Sequence, residues 1–326
     1  MLNWKICELN TECSNTNKRA GGSQPGSDWR DDLARRVSAM TSLRRDEPLA
    51  GRTTMRVGGP AELLAEPASE ADLAAILRFC AERGIPKFFL GRGSNLLVRD
   101  GGIRGVVVSL IHPEFARIVV EGARLRCGAG ARLKNVAHEA RRQNLTGLEF
   151  MEGIPGSVGG ALRMNAGAMG SWTFDVVESI RVMSDEGVAR DLTAAEVPVE
   201  YRSCPLLKAQ IALSAVFIAT GGERTGIDAR MKSFSLKRWS SQPAAPSAGC
   251  VFKNPEAVPA GKLIDELGLK GASVGGARVS LELGNFIVNE GNATARDVLE
   301  LIELLRARVR AERGIELETE VEIVGE

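Results

Sequence analysis

The sequence predicts an α+β fold in which a larger domain of interleaved helices and strands is followed by a smaller C-terminal domain. The chain has 326 residues, and because domains of roughly 100–200 residues are usual, this length suits two of them. Helical and strand patterns alternate from residue 50 to about residue 220, as is typical of mixed helix-and-sheet packing. A second unit, which soon passes through a Pro/Ser-rich stretch, begins after Gly221.

The first 45 residues are predicted to be an N-terminal extension that is partly disordered. Residues 14–30 are polar and rich in Ser, Gly and Asn, and such a composition buries too little apolar surface to fold. The spaced apolar residues of 31–46 predict a helix. We therefore place the first domain at residues 46–220 and the second domain at residues 221–326.

Helix and strand signals are clearest in the first domain. Ser69 and Asp72 form a capping-box pattern ahead of an apolar stripe at helical spacing, and Gly84 stands where a C-cap glycine is expected. A second helical stripe consists of Leu133, Val136, Ala137 and Ala140. Strands are predicted at residues 87–90, 96–98, 103–110, 116–121 and 124–128.

The second domain is predicted from a long helical stripe and a final strand. Val298, Leu299, Ile302, Leu305 and Val309 recur on one helix face. A strand is predicted at residues 285–289. Residues 317–323 alternate between an apolar face and a face that carries Glu318, Glu320 and Glu322.

Composition excludes several classes of protein. The net charge of +1 argues against nucleic acid as the main partner, and no apolar run approaches the ~18 residues of a membrane span. The six cysteines are scattered without a CxxC pair, and the two histidines lack ligand-spaced neighbours, so we expect no metal site and no disulfide framework. We expect a cytoplasmic protein with no membrane insertion.

The segment Gly91, Arg92, Gly93, Ser94 and Asn95 lies between two predicted strands. The dinucleotide fingerprint requires a following helix and a third glycine, and both are missing. Two glycines still allow successive backbone N–H groups to converge on an anion, with Ser94 and Asn95 as further donors. An ordinary tight turn is the alternative.

A second glycine-rich segment suits a large planar ligand, because small residues let the backbone lie against it. It also carries apolar residues, which a mobile loop would lack, so we expect it to be packed. Its candidate cofactor-binding residues are Gly153, Ile154, Pro155, Gly156, Ser157, Gly159, Gly160, Asn165, Ala166 and Gly167. Two such segments in one domain favour a nucleotide or flavin site over a flexible loop.

Three side chains are candidates for the chemistry. Arg202, which follows Tyr201, has the charge to stabilise a developing oxyanion, although a surface arginine is the commoner case. Cys250 follows a glycine and precedes strand-forming residues, so it could face a pocket and transfer a proton; the alternative is a small buried apolar residue. Glu320 belongs to the acidic face of the last strand, which could equally be a solvated face.

A series of short motifs occurs in order along residues 45–326. They are TTMRVGGPA (53–61), GRGSN (91–95), GIPGSVGGA (153–161), YRS (201–203), SAGCVFKNP (247–255), GKLI (261–264), GLKG (268–271), NFIVN (285–289) and ETEV (318–321). Each motif is weak alone. Together and in this order they resemble the UDP-N-acetylenolpyruvoylglucosamine reductase family of bacterial peptidoglycan synthesis.

The resemblance implies a fold and a reaction. The fold would be an FAD-binding domain of the vanillyl-alcohol-oxidase type in two subdomains, followed by a smaller α+β substrate domain. NADPH would reduce non-covalently bound FAD, which would then deliver hydride to the enolpyruvyl group of UDP-N-acetylglucosamine enolpyruvate, giving UDP-N-acetylmuramate. Roles in cell wall biogenesis, cell shape, cell cycle and cell division would follow, and we expect a monomer.

The resemblance also implies roles for particular residues. Arg202 matches an arginine that stabilises an enolate-like intermediate, and Glu320 matches a glutamate that polarises the substrate carboxyl. Cys250 stands at the proton-donor position, where many members have Ser; an unperturbed thiol, with a pKa near ~8.5, gives up a proton more readily than a Ser hydroxyl. The matched flavin-binding set includes Arg56, and the matched substrate-binding residues are Tyr201, Asn254 and Lys262.

The chain departs from the family pattern at a few positions. Leu283 stands where many members carry His, and Met169 stands where Tyr is usual. Only 47 residues separate Arg202 from Cys250, which implies the form of the family that lacks an inserted tyrosine loop. These departures concern contacts to nucleotide and substrate rather than the reaction.

Two other functions are compatible with parts of the sequence. A flavin-dependent alcohol or sugar oxidase of the same superfamily would share the flavin domain, but such enzymes often attach flavin through His or Cys, which the 91–95 segment lacks. A catalytically inactive nucleotide-binding regulator is the other alternative. The presence of Arg202, Cys250 and Glu320 together argues against it.

Overall fold

The computed structural model describes residues 28–256 and 258–326, so most of the predicted disordered segment lies outside the described residues. The helices are α1 (Trp29–Ala34), α2 (Glu70–Arg83), α3 (Pro113–Ala116), α4 (Leu133–Arg142), α5 (Val158–Arg163), α6 (Leu206–Ala209), α7 (Arg224–Ser241), α8 (Ala260–Glu266) and α9 (Ala295–Arg313). Short 3-10 helices lie at Leu49–Arg52, Glu149–Gly153, Thr173–Asp175 and Ala194–Glu196.

The strands are short and form three main sheets. In chain order they are β1 (Ser42–Pro48), β2 (Pro60–Glu66), β3 (Lys87–Phe89), β4 (Leu96–Val98), β5 (Ile103–Val108), β6 (Ile118–Glu121), β7 (Arg124–Gly128), β8 (Leu145–Thr146), β9 (Gly167–Ala168), β10 (Ser171–Trp172), β11 (Val177–Met183), β12 (Ala189–Thr193), β13 (Ile211–Ile218), β14 (Thr220–Gly221), β15 (Ser247–Cys250), β16 (Ser273–Val274), β17 (Ala277–Val279), β18 (Phe286–Asn289) and β19 (Glu322–Val324). The mixed helix and strand content confirms the predicted α+β class.

The first sheet has the order β1-β2-β5-β3, with β1 antiparallel to β2 and the other pairs parallel. Helix α2 covers it and buries Leu73 and Ile76. This helix begins and ends as predicted. The Ser69 hydroxyl accepts a hydrogen bond from the backbone N–H of Asp72 at 3.1 Å, and Gly84 adopts the left-handed conformation at φ 63°.

The predicted helix over residues 31–46 is wrong for most of its length. Helix α1 ends at Ala34, and residues 42–48 form β1 instead. This strand pairs with β2 along its whole length. Pairing with a neighbouring strand outweighs local helix propensity, which is a weak determinant of structure by itself.

The second sheet is antiparallel throughout, with the order β12-β11-β13-β7-β6. Helix α4 packs on its core through the four predicted apolar residues, all of them buried. Helix α7 joins the same core through Ile227 and Met231. The region from β1 to α7 therefore contains two sheets, each with its own helices.

The third sheet has the order β15-β18-β17-β16 and is covered by α8 and α9. Helix α9 begins at the N-cap Thr294, ends at the left-handed Gly314, and buries the predicted Val298, Ile302, Leu305 and Val309. Leu299 is only partly buried. The core of this sheet also includes Met55 and Leu97 from the preceding part of the chain, so the C-terminal unit is packed against the rest of the protein.

The last strand is shorter than predicted. Leu317 and Val321 are buried as the alternation predicted, but Thr319 makes only an isolated bridge with Phe252. Hydrogen-bonded strand structure is confined to β19, which pairs in parallel with β4. This pairing places the end of the described chain beside the 91–95 segment.

Across residues 28–256 and 258–326, every helix is too short or too polar to span a lipid bilayer.

Candidate active site

A cleft of about 810 Å³ runs between the two sheets of the first region and the C-terminal sheet. Both predicted glycine segments and the three predicted catalytic side chains line it. The predicted residues at its surface are Gly91, Arg92, Gly93, Ser94, Asn95, Gly153, Ile154, Pro155, Gly156, Ser157, Gly159, Gly160, Ala166, Gly167, Arg202, Cys250 and Glu320. Its size is in the range of small-molecule and cofactor sites, which is roughly 300–1,000 Å³.

The 91–95 segment is held in a conformation that requires glycine. Gly93 has a φ of +59°, and a Cβ atom there would lie 2.7 Å from the Cα of Thr53. Its carbonyl accepts hydrogen bonds from the backbone N–H of Thr54 and from the Thr54 hydroxyl, both at 3.2 Å. The loop is therefore a fixed turn against residues 53–54 rather than a mobile connection.

The second glycine segment leads into helix α5. Ser157 caps this helix by accepting a hydrogen bond from the N–H of Gly160 at 3.4 Å. A Cβ at Gly159 would lie 3.1 Å from the Cβ of Ala129, whereas a Cβ at Gly153 would have no neighbour within 4 Å. One side of the segment is thus packed closely on the protein, as predicted, and the other is open to the cleft.

The two glycine segments face one another. A Cβ at Gly91 would lie 3.2 Å from the Ser157 hydroxyl, and a Cβ at Gly156 would lie 3.9 Å from the Ser94 hydroxyl. Short residues on both sides therefore form one continuous backbone-lined wall. Such a wall fits the flat ring system and the phosphates of a flavin nucleotide.

Positive charge accompanies this wall. Burial, together with the neighbouring Arg132, lowers the pKa of Arg92. Burial also lowers the pKa of Arg238, whose guanidinium donates a hydrogen bond to the carbonyl of Gly153. Both side chains remain cationic at neutral pH because arginine is effectively always protonated, so they suit the phosphates of a nucleotide. Arg238 lies outside the segments singled out from the sequence, so it was missed.

Arg202 and Glu320 meet in the cleft. The Nε of Arg202 lies 3.1 Å from a carboxylate oxygen of Glu320, and the two side chains are 26% and 14% exposed. This Nε is buried and makes no hydrogen bond within the described chain, so the contact is one of charge. Arg202 has a φ of +56°, an uncommon conformation for a residue with a side chain.

The backbone of Glu320 is fixed from two directions. Its N–H donates to the carbonyl of Val251 at 2.8 Å, and its carbonyl accepts from the Asn95 side chain at 3.0 Å. Burial raises the pKa of the Glu320 carboxyl, although Arg202 and Lys253 act in the opposite direction. This carboxyl therefore takes up a proton more readily than an exposed glutamate does.

Cys250 stands at the end of β15, opposite Phe286. The preceding Gly249 has a φ of +80°, and a Cβ there would lie 3.8 Å from the carbonyl of Ser94, so this turn borders the first glycine segment. Burial raises the pKa of the Cys250 thiol to about 11; Glu320 adds to this effect and Arg202 opposes it. The thiol therefore holds its proton more firmly than an unperturbed cysteine does, because it lies in poorly hydrated surroundings beside a carboxylate.

Two predicted cofactor-binding residues, Arg56 and Asn165, lie outside the cleft lining. The carbonyl of Arg56 accepts a hydrogen bond from the Asn289 side chain at 3.4 Å. The Asn165 amide accepts from the N–H of Phe174 at 3.2 Å and donates to the carbonyl of Glu200 at 3.5 Å. The Asn165 side chain thus joins two segments of the protein to each other.

The three predicted substrate-binding residues, Tyr201, Asn254 and Lys262, are not among the residues that line the cleft. Tyr201 is 58% exposed. The side chain of Asn254 accepts a hydrogen bond from the N–H of Ala260 at 3.1 Å, at the start of α8. Lys262 lies 3.7 Å from Glu266 on the same helix.

Further residues of the cleft carry no motif. Arg163 and Glu322 form an ion pair at 2.9 Å that joins α5 to β19, and both line the cleft. Trp172 is not among the lining residues, but it packs near Arg202, which is. The acidic face of the last strand was a sequence signal for Glu322, but nothing in the sequence indicated that α5 approaches it.

Two family models match the chain. One is described as "UDP-N-acetylenolpyruvoylglucosamine reductase, C-terminal domain" and matches residues 242–324. The other is described as "FAD binding domain" and matches residues 61–193. The second match contains both glycine segments, and the first contains Cys250 and Glu320.

Curated relatives and a solved structure resemble most of the chain. A UDP-N-acetylenolpyruvoylglucosamine reductase of Clostridium novyi is 44% identical over 276 residues, 84% of this chain and 89% of the relative. One of Pelobacter propionicus is 45% identical over 286 residues, 87% and 96% of the two. The crystal structure of UDP-N-acetylenolpyruvylglucosamine reductase (MurB) from Thermus caldophilus superimposes with a TM-score of 0.76 at 38% identity, covering 87% of this chain and 99% of that one.

Proposed function

The chain belongs to the UDP-N-acetylenolpyruvoylglucosamine reductase family, and from this premise we propose which residues of the cleft carry its reaction. The protein reduces UDP-N-acetylglucosamine enolpyruvate to UDP-N-acetylmuramate with NADPH and FAD, a step of peptidoglycan precursor synthesis. Its fold is the predicted FAD-binding domain of the vanillyl-alcohol-oxidase type with a smaller α+β domain behind it. The oxidase and inactive-regulator alternatives are not favoured, since the C-terminal match is to the reductase.

We propose that the two glycine segments hold the FAD. Their backbones face each other with only short serine side chains between them, and Gly153 is open to the cleft. Arg92 and Arg238 place positive charge at the same wall. An FAD held there would supply the hydride-transfer chemistry that links NADPH to the enolpyruvyl group.

Arg202 is the proposed stabiliser of negative charge. Hydride addition to the enolpyruvyl double bond leaves excess electron density on the α-carbon, which the adjacent carboxylate shares. The guanidinium is three-quarters buried and always charged, so it stabilises that density more than it would in water. Its contact with Glu320 at 3.1 Å keeps it at the reacting end of the cleft.

Glu320 is the proposed partner of the substrate carboxylate. Two ionised carboxylates cannot lie side by side without cost, and burial already raises the pKa of Glu320. A proton taken up by Glu320 when the substrate carboxylate binds would let its carboxyl donate a hydrogen bond to that carboxylate and polarise it, while Arg202 balances the remaining charge.

Cys250 is the proposed proton donor to the α-carbon. A pKa of about 11 keeps the thiol protonated throughout the neutral range, so it is ready to donate. The S–H bond breaks as the new C–H bond forms, and the resulting thiolate regains its proton from water. The chain thereby supplies the proton that completes the reduction.

The remaining residue roles are proposed for the outer part of the site. Tyr201, which precedes Arg202 in the chain, and Asn254 and Lys262, which lie at or near the start of α8, are proposed to bind the part of the nucleotide sugar that extends beyond the cleft. Arg56 and Asn165 support the flavin-binding region through the contacts described above rather than by lining the cleft.

We further propose the domain division and the cellular setting. Helix α7 buries Ile227 and Met231 in the core of the second sheet, and the C-terminal family model begins at residue 242. Both support a domain boundary after α7, rather than at the predicted residues 220–221. A monomer in the cytoplasm suits substrates as polar as NADPH and a UDP-sugar, and roles in cell shape, cell cycle and division follow from supplying a wall precursor.

The main support for these roles is that Arg202, Cys250 and Glu320 line the same cleft as both glycine segments. The test separates the two half-reactions of FAD-loaded protein by anaerobic stopped-flow absorbance. Glu320→Gln should leave flavin reduction by NADPH within about twofold and slow reoxidation by the enolpyruvyl substrate about 100-fold, the usual scale for one charge-stabilising group.

Glu318→Gln is the matched control, because Glu318 is on the same segment but is 74% exposed and pairs with Lys253. It should change neither half-reaction. Equal slowing of both half-reactions by Glu320→Gln, or an effect of Glu318→Gln as large, would contradict the proposed role.

A further inference from the structure

Trp172 contacts the guanidinium of Arg202. The Cζ of Arg202 lies 5.4 Å from the Trp172 ring centroid and 5.6 Å from that of Tyr201. The two rings meet edge-to-face, with centroids 5.7 Å apart and an interplanar angle of 73°. We propose that Trp172 is a positioning residue that holds Arg202 toward the substrate, an inference that rests on the role proposed for Arg202.

Arg202 needs such support because its other contacts are few. Its Nε is buried without a hydrogen-bond partner in the described chain, and the one carboxylate near this atom is Glu320 at 3.1 Å. Glu320 must itself be free to meet the substrate. A long side chain with one shared charge contact has many conformations, and a cation held against two aromatic rings has far fewer.

The Trp172 ring is itself rigidly placed. Trp172 pairs with Gly167 in the β9–β10 hairpin, and a Cβ at Gly167 would lie 2.4 Å from the Trp172 ring. The indole therefore lies flat on a backbone segment that lines the cleft. Thr173 closes the hairpin by donating its N–H to the carbonyl of Ala166 at 2.9 Å.

Asn165 ties the hairpin to the turn that carries Arg202. Its amide oxygen accepts from Phe174, two residues after Trp172, and its amide nitrogen donates to Glu200, two residues before Arg202. One buried side chain thus fixes the spacing between the indole and the guanidinium. The cleft wall, Trp172 and Arg202 form a continuous chain of contacts from the flavin side to the reacting side.

The expected size of the effect follows from the contact. A partly desolvated cation–π interaction changes an equilibrium by about 3- to 30-fold. Trp172→Leu should therefore slow substrate-driven flavin reoxidation by about 3- to 30-fold and leave NADPH-driven reduction within about twofold. Trp172→Phe retains an aromatic face and should restore most of the rate.

A double-mutant cycle separates positioning from a general packing defect. Arg202→Ala should slow reoxidation by more than 100-fold, and Trp172→Leu combined with Arg202→Ala should be no slower than Arg202→Ala alone. Trp29→Leu is the matched control, since Trp29 also contacts an arginine, Arg30, at 5.0 Å, but Arg30, unlike Arg202, is not among the residues that line the cleft. It should leave both half-reactions unchanged.

A spectroscopic readout tests the contact without catalysis. In protein carrying ¹⁵N-labelled arginine, the Nε–H resonance that disappears in Arg202→Lys should be shifted by the Trp172 ring current. Trp172→Leu should move that resonance toward its ordinary position, and Trp172→Phe should move it much less.

The outcomes distinguish the positioning role of Trp172 from the role of Arg202 on which it rests. If Arg202→Ala leaves the rate of reoxidation unchanged, this result contradicts the proposed role of Arg202 and, with it, the positioning role of Trp172. If Arg202→Ala slows reoxidation as expected, three results would overturn the role of Trp172 alone. Trp172→Leu could reoxidise at the normal rate, or its effect could multiply with that of Arg202→Ala in the double variant. Trp172→Leu could also leave the Nε–H resonance of Arg202 where it is. Failure of Trp172→Phe to recover the rate would also overturn it.

Discussion

The two ends of the cleft are built in different ways. At the flavin end the wall is backbone: residues 91–95 and 153–160 approach each other with glycine and serine between them. At the other end, the proposed reacting end, the proposed catalytic groups are the side chains of Arg202, Cys250 and Glu320, which come from a turn, a strand end and the last segment. A backbone wall can be recognised in a continuous stretch of sequence, whereas a cluster of side chains depends on how distant segments pack.

This difference between the two ends of the cleft predicts that mutations at each end have different effects. Changes at the flavin end should alter FAD binding or the stability of the loops. Changes at the reacting end should leave FAD bound and reducible but slow the transfer to substrate.

Cys250 should give the largest effect at the reacting end. Cys250→Ala removes the proposed proton donor, so we expect substrate-driven reoxidation to slow by about 10²–10⁴-fold while NADPH-driven reduction stays within about twofold. Anaerobic stopped-flow absorbance measures both. Cys250→Ser, which keeps a donor hydroxyl, should retain much more of the rate than Cys250→Ala; equal loss in both half-reactions would erase the distinction between the two ends.

The reactivity of the Cys250 thiol gives the next effect. Burial and the nearby Glu320 raise its pKa from 9.0 to about 11, so the thiolate fraction at pH 8 falls about 100-fold. Alkylation of Cys250 by iodoacetamide, followed by peptide mass spectrometry, should be slower by this factor than for a free thiol. Its rate should keep rising tenfold per pH unit until about pH 11.

Glu320→Gln should speed this alkylation, because it removes the negative charge that helps to raise the pKa of Cys250. A levelling of the alkylation rate near pH 9 would show that the thiol is not shielded as described.

The smallest predicted effects compare two glycines at the flavin end. Gly93→Ala forces a left-handed residue against Thr53 at 2.7 Å, and should lower the free energy of unfolding of the apoprotein by about 1–3 kcal/mol. Gly153→Ala meets nothing within 4 Å, so apoprotein stability should change by less than about 0.5 kcal/mol while FAD binds more weakly. Urea unfolding and FAD titration measure the two quantities.

If Gly153→Ala left FAD affinity unchanged, the open side of this segment would not face the flavin. If Gly93→Ala left stability unchanged, the first loop would not be fixed as the contacts with Thr53 and Thr54 indicate.

Local patterns predicted the parts of the fold that local contacts determine. The Ser69 cap, the Gly84 terminus and the buried stripe of α4 follow from residues within a few positions of one another. The helix over 31–46 failed because β1 is fixed by pairing with β2, a contact that its own sequence does not reveal. The final strand was too long because only Glu322–Val324 pair in a ladder with β4, whereas Thr319 makes just an isolated bridge with Phe252.

The site, like the fold, was predictable from the sequence only where it depends on local patterns. Motifs located Arg202, Cys250 and Glu320, but the pKa of Cys250 depends on burial and on Glu320, which no single motif contains. Trp172 was missed because no pattern in the residues around it indicates a contact with Arg202. Arg238 was missed because the carbonyl that it contacts is 85 positions away in the chain. That Asn165 binds the cofactor stays a prediction; its amide joins two backbone segments, which no motif indicated.

The bond between Asn95 and Glu320 joins residues 225 positions apart. Closing a chain segment of that length has an entropic cost of about 5 kcal/mol, so β4 and β19 should meet late in folding, after the more local sheets have formed. The 91–95 loop beside β4 then reaches its final conformation last, so a partly folded chain lacks a complete binding site for the cofactor. The yellow colour of bound flavin should therefore appear only with the completed fold, which makes it a natural measure of correctly folded protein during refolding.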